Sequence, residues 1–231
     1  MAEKKQELRA DARRNRDLIL TAAHELFLEQ GLDVALEEVA RRAGVGIGTL
    51  YRRFPDREAL LRGVSEAGLR RMADLVETAR REEPDAWHAL CRFLRSCTEL
   101  RLGELSAKLD PVLHQRIRGG EEQQAVRERV ASGLLALIGQ AQADGALRPD
   151  VGPVDLALIM TLHVYAPPGL PGGQGMPRVI EIVLDGLRAD RAGGADGAGR
   201  AGRADRAAAL PGSRSTPDDL RRYTAVRGEG E

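Results

Sequence analysis

Apolar residues recur along this chain with the period of a helix, and glycines and prolines cut the pattern into pieces. Leu18, Ile19, Ala22, Leu26 and Phe27 fall at helical spacing, and Gly31 stands where a left-handed C-terminal cap belongs. Leu36, Val39, Ala40 and Ala43 form a shorter stripe that Gly44-Val45-Gly46 stops. A third short helix is expected over 47–54, ended by Pro55, and Asp56 then caps a longer helix from Arg57. Further on, Pro84 and Pro153 sit where first-turn prolines are welcome. Gly119-Gly120 interrupts before Glu121 opens a helix carrying Val126, Val130, Leu134, Leu137 and Ile138 on one side. The most apolar late helices are 154–165 and 178–187, separated by a Pro- and Gly-rich loop, 166–177. No segment alternates with period two, so the fold class is all-α.

The ends are of different material. Residues 190–231 hold eight of the 26 glycines, with only Leu210, Leu220, Tyr223 and Val226 as sizeable apolar groups. Such a tail buries too little surface to offset its ordering entropy and is expected to be disordered, with a short helix conceivable at 217–226. The arm 1–12 interleaves Lys4, Lys5 and Arg9 with Glu3, Glu7 and Asp11, which argues against a minor-groove role and for a solvated, disordered segment.

Composition narrows the class. The 231 residues carry 35 Lys+Arg against 35 Asp+Glu, so wholesale coating of nucleic acid or a polybasic membrane anchor is excluded. Two cysteines, Cys91 and Cys97, six apart, do not make a disulfide scaffold. Residues 1–16 are too polar for a signal peptide, and 154–166 is too short to span a bilayer. A soluble cytoplasmic protein, with no membrane association, is expected.

The spacing within 35–54 carries the chemistry. A helix-turn-helix needs a small residue where its helices cross, a glycine in the turn and a few apolar positions to lock the angle. Ala40, Gly44 and the set Val39, Ala43, Val45 and Leu50 meet those needs. The outward face of the second helix then offers Gly48, Thr49, Tyr51, Arg52 and Arg53 to a major groove. Hydroxyls of Thr49 and Tyr51 can bond phosphate oxygens, and Arg52 can reach a guanine edge or a phosphate. Between Val39 and Arg62, six arginines face Asp56 and Glu58, a local excess of four positive charges. Charge alone decides little in a chain whose basic residues are nearly all Arg; the spacing decides.

The stretch 31–61, which contains Val39-Ala40-Arg41-Arg42-Ala43-Gly44-Val45-Gly46 and Thr49-Leu50-Tyr51-Arg52-Arg53-Phe54-Pro55, closely resembles the DNA-binding domain of the TetR family of transcriptional regulators. The match is contiguous and, with the preceding helix, covers about a quarter of the chain. The resemblance implies a helix-turn-helix domain over 13–61, a helical ligand-binding and dimerisation domain over 62–189, and a tail over 190–231. It implies that Thr49 and Tyr51 touch the DNA backbone, that Gly48 allows close approach, that Phe54 is core, and that Arg57 sits beside a phosphate at the start of the fourth helix. Two positions depart from the family. Ala35 stands where Ser or Thr usually caps the second helix, and Arg53 stands where His is common.

The family plan also implies a small-molecule effector that enters the C-terminal domain and moves the fourth helix. Candidate lining residues are Met72, Trp87, His88, Cys91, Phe93, Leu94, Cys97, Leu113, His114, Ile117, Leu134 and Ile138; ordinary bundle core accounts for most of them equally well. His88 and Cys91 are three apart, but no third ligand accompanies them, and His114 and His163 are distant, so no metal is expected. No phosphate loop, Gly-x-Ser-x-Gly or His-Glu-x-x-His motif is present, and neither an enzyme nor a cofactor is expected. One short helix reads too few bases, so a homodimer on a palindromic operator is implied, its interface built by the helices near 154–165 and 178–187. The reading is a dimeric repressor of duplex DNA released by its effector. An activator of the same fold, or a helical ligand-binding or interaction module that no longer reads DNA, stays open as an alternative.

Overall fold

The computed structural model describes residues 2–109, 111–117, 121–161, 175–189 and 210–224. Helices α1 (Ala2–Gln30), α2 (Leu36–Arg42), α3 (Ile47–Arg53), α4 (Arg57–Glu82) and α5 (Ala86–Glu99) come first. They are followed by α6 (Glu104–Lys108), α7 (Pro111–Ile117), α8 (Glu121–Ala143), α9 (Pro153–Ile159), α10 (Gly175–Leu187) and α11 (Pro217–Thr224). Among the described residues there is no strand, only an isolated antiparallel bridge between Leu147 and Arg188 that ties the α8–α9 connection to the end of α10.

Two separate clusters of buried apolar side chains organise these helices. One joins Ile19, Ala23, Leu26 and Phe27 of α1 to Val39, Leu50, Phe54 and the α4 residues Leu60, Leu61 and Val64. The other joins Ala73, Val76 and Ala79 of α4 to Leu90, Phe93 and Leu94 of α5, Leu134 and Leu137 of α8, and Ile180 and Leu184 of α10. Helix α4, about 39 Å long at 1.5 Å per residue, therefore has its first half in one core and its second half in the other. The first core also takes Leu105, Leu109 and Ile117 from the α6–α7 region, so it is not built from the N-terminal helices alone.

Local chemistry explains the boundaries. Asp56 caps α4 by accepting from the Ala59 N–H at 2.7 Å. Ala35 precedes α2 with no side-chain cap bond, as its methyl group dictates. Gly44 takes φ +67°, which lets its own N–H reach Arg41 O and the Val45 N–H reach Ala40 O, closing α2 and turning the chain toward α3. Helix α5 ends by the same device with a less suited residue. Arg101 adopts φ +53°, the Leu102 N–H bonds Cys97 O at 3.0 Å, and the Arg101 guanidinium is held by the buried carboxylate of Glu104. This cap presses Gly103 onto the end of α9, where a Cβ would lie 2.1 Å from Met160 O.

The structure departs from the sequence pattern in four places. The arm 2–12 is the first part of α1 rather than irregular chain, in keeping with its Ala, Glu, Lys, Gln and Arg content. Helix α9 stops at Ile159, where Met160 and Thr161 turn back to bond Leu156 O and Leu158 O; residues 162–174 lie outside the described residues. Helix α10 opens at Gly175, two residues before Pro177, because a first-turn proline lacks only a donor that has no partner there anyway. Pro84 lies just outside α5, whose cap is Asp85.

The expected disordered tail is also revised in part. Residues 190–209 and 225–231 lie outside the described residues, but 210–224 folds against α8 and α9. The Leu210 N–H bonds the Asp150 carboxylate at 3.0 Å, Arg214 reaches Gln142 Oε1, and Ser215 Oγ accepts from the Val154 N–H. Arg148, then the Leu210 N–H, hold Asp150 down to about 2, well below the usual carboxylate range. Thr216 and Asp219 cap α11 reciprocally, and Leu220 is buried.

Candidate nucleic-acid interface and buried cavity

Helix α3 buries one residue, Leu50, and turns the rest outward. Ile47, Gly48, Tyr51, Arg52 and Arg53 are exposed and Thr49 is half-buried, so the structure brings five of the six sequence-derived contact residues onto one solvent-facing helix. Arg52 donates to Thr49 Oγ1 at 3.0 Å, which aligns the two on a single face. A Cβ on Gly48 would meet nothing within 4 Å and its φ is ordinary. The fold itself therefore does not demand glycine there.

The arginines sort by role. Arg41 pairs with Glu38, Arg42 with Glu25 and Glu29, and Arg62 with Glu58. Among the described residues, Arg52, Arg53 and Arg57 meet no carboxylate, and the first two sit on α3. Arg57 behaves differently from the rest. Its Nη1 donates to Leu32 O at 2.5 Å and Val34 O at 2.6 Å, clamping the α1–α2 loop from the first turn of α4. At least one of its nitrogens is committed to the protein's own backbone.

A cavity of about 160 Å³ lies behind this head, where the two cores meet. Helix α4 contributes Ser65, Gly68, Leu69 and Met72, α8 contributes Gln123, Arg127, Val130, Ala131 and Leu134, and α1 contributes His24. The α5–α6 turn adds Leu102 and Gly103, α6 adds Leu105, the end of α9 adds Ala157, Met160 and Thr161, and α11 adds Leu220. His24 Nε2 lies 3.2 Å from Leu100 O, and burial lowers its pKa from the ordinary value, so the ring is neutral at pH 7. Gln123 donates to Glu66 at 2.7 Å, and Arg127 Nε donates to Gln124 at 3.2 Å.

Of the sequence-derived lining candidates, Met72 and Leu134 reach the cavity. Trp87, Cys91, Phe93, Leu94, Cys97 and Ile138 pack in the bundle core instead, Ile117 belongs to the head core, and Leu113 packs against it. Their helical spacing marked a buried face correctly but could not say which buried face borders a gap. His88 is exposed, its Nδ1 on the Asp85 carboxylate, whereas Cys91 one turn on is buried. The side chain of His114 and all of His163 lie outside the described residues, and among the described ones no three potential metal ligands come together.

Both thiols are free and buried. Burial pushes Cys91 up to about 11 and Cys97 up to about 12. Neither forms a thiolate at neutral pH, so neither should react with Ellman's reagent in the folded protein, and both should react once it is unfolded in guanidinium. Fast labelling of Cys97 in the native state would contradict its burial.

A glycine-turned helix pair that presents hydroxyls and unneutralised arginines on its second helix defines the class: helix-turn-helix transcriptional regulators. Residues 19–64 match the family of bacterial regulatory proteins called tetR, and residues 85–189 match the C-terminal domain of SbtR-like transcriptional regulators. The chain belongs to the TetR family. A TetR transcriptional regulator from Streptomyces coelicolor is 36% identical, with a TM-score of 0.56 over 75% of this chain and 98% of its own. A TetR regulatory protein from Mycobacterium vanbaalenii is 33% identical, with a TM-score of 0.53 over 78% and 99%. An HTH-type transcriptional regulator of Staphylococcus aureus (strain USA300) is 35% identical over 83 residues, which span 36% of this chain and 43% of that protein, less than half its length.

Proposed function

We propose that this protein binds an inverted-repeat operator in duplex DNA as a homodimer, represses transcription there, and lets go when a small-molecule effector fills the cavity behind its head. One observation carries the reading: α4 supplies Leu60, Leu61 and Val64 to the head core and Ser65, Gly68, Leu69 and Met72 to the cavity wall. A ligand that displaces the middle of α4 cannot leave the head where it was. The head is tightly fitted to that helix, because a Cβ on Gly63 would lie 2.8 Å from the Phe54 ring. In this reading Gly48, Thr49, Tyr51, Arg52 and Arg53 face the groove, and Arg57 supports them from the rear.

The dimer is assigned to the helices near 154–165 and 178–187. Ile182 on α10 is 68% exposed and Leu158 on α9 is 49% exposed, an apolar surface that a second copy would cover. Such a regulator acts in the cytoplasm, where its operator lies. No described helix is long and apolar enough to cross a membrane.

Selection from random duplex DNA tests the proposal. Wild-type protein should enrich an inverted repeat, and a Tyr51→Ala/Arg52→Ala variant of unchanged circular dichroism should not. Affinity should fall steeply with salt, as phosphate contacts require. Failure of the wild-type protein to enrich any sequence, while sedimenting as a folded dimer, would move the weight to a helical ligand-binding module that does not read DNA.

A further inference from the structure

Residues 210–224 lie beyond the span 85–189 that matches the family's C-terminal domain, and they settle where α8 gives way to α9. The turn between those helices is built to receive them. Gln142 Nε2 donates to Arg148 O and Val151 O at 2.9 Å each, which leaves its Oε1 to accept from Arg214 at 2.7 Å. Asp150 accepts from the Leu210 N–H at 3.0 Å. The Val154 N–H, a first-turn donor with no carbonyl of its own helix to reach, is met by Ser215 Oγ at 3.1 Å. Gly152 marks the seat most clearly. Its backbone, at φ −108° and ψ 171°, suits any residue, yet a Cβ there would lie 2.2 Å from Ser215 Oγ and 2.6 Å from Ser215 O. The turn does not require glycine; the segment lying on it does.

Among the described side chains of 210–222, Leu220 alone is buried, and it lines the cavity together with Ala157, Met160 and Thr161 from the end of α9. Asp218, Arg221 and Arg222 beside it are exposed. One apolar side chain and a few hydrogen bonds near the surface make a contact that opens at far smaller cost than the bundle unfolds. We propose that 210–224 is a strap that gates the cavity. Seated, it places Leu220 in the wall against α8 and α9; lifted from the 142–154 turn, it leaves a way in and out. The gate rests on the effector reading only for what passes through it.

Two measurements on the full chain test the gate, and neither needs an effector or DNA. Amide exchange, read residue by residue by nuclear magnetic resonance, follows the Val154 and Leu210 N–H groups that the seated strap engages. A thiol introduced by Val130→Cys, at a wall position 8% exposed, reports access to the cavity through its rate of modification by methyl methanethiosulfonate. Gly152→Ala evicts Ser215 without changing the strap or the cavity wall. It should speed both amide exchange and thiol modification by at least about tenfold, with the circular dichroism of the bundle unchanged. Leu220→Ser should give the same pair of changes from the strap's side, should Gly152→Ala disturb the turn itself. Faster exchange with no faster modification overturns the gate. A Val154 amide that already exchanges freely in the wild-type chain, or one that Gly152→Ala leaves untouched, overturns the seat. Gated modification in a protein that enriches no operator would leave the strap standing and remove the effector reading; an enriched operator with ungated modification would do the reverse.

Discussion

Phe93→Ala should cost about 3–5 kcal/mol of folding stability and lower the thermal midpoint by roughly 6–20 °C. Phe93 is completely buried in α5, the helix that packs against α4, α8 and α10 at once. Removing its ring opens a gap inside that packing, and a helix braced from three sides has little freedom to collapse into it. Thermal and urea unfolding followed by far-ultraviolet circular dichroism would measure the loss. The shape of the transition is equally informative. Because α4 is continuous through both cores, the weakened variant should still unfold in one step, and Leu50→Ala in the head should do the same. A second transition in either would show that the cores unfold independently. A loss below about 1 kcal/mol would contradict the packing described for α5.

Arg57→Ala should cost about 2–4 kcal/mol, since hydrogen bonds from a charged donor contribute about 1.5–3 kcal/mol each and this group is only half-buried. The Leu32 and Val34 carbonyls would lose their donor, and the loop that sets α2 against α1 would loosen. The resemblance to the family assigns Arg57 to a phosphate, and the two roles separate cleanly. A clamp lowers the melting temperature and leaves the salt slope of DNA binding nearly intact. A phosphate ligand leaves the melting temperature intact and reduces the slope by about one. Unchanged stability with a reduced slope would return Arg57 to the DNA.

The head was legible because its instructions are local. The Asp56 cap, the Gly44 turn, the small Ala40 and the buried Leu50 and Phe54 all act within a few residues of where they stand. The cavity was not legible, for the opposite reason. Leu134 and Ile138 lie one turn apart on one α8 stripe and share one core, yet only Leu134 borders the gap, a difference that the spacing along α8 does not encode. A signal did exist: Gln123 and Arg127 are polar residues on a face that continues into Val130 and Leu134. Polar side chains aligned with an apolar stripe mark a wall better than more apolar ones do. The tail misled through composition, which averages over a glycine-rich stretch and a capped helix, although Thr216-Pro217-Asp218-Asp219 is a helix-start signature in its own right.

The cavity's wall is completed by Leu220, a residue beyond the 85–189 span shared with relatives. It is attached to the bundle through residues 190–209, so it is never diluted away. A tethered group competes at an effective concentration on the order of millimolar, however scarce the protein is. Any molecule that must displace Leu220 to settle therefore faces a rival already on site, and its affinity is discounted by that contest. If the cavity takes the effector as proposed, the segment that carries Leu220 would set the threshold at which it registers, and a change there would shift sensitivity without touching the helix that faces DNA.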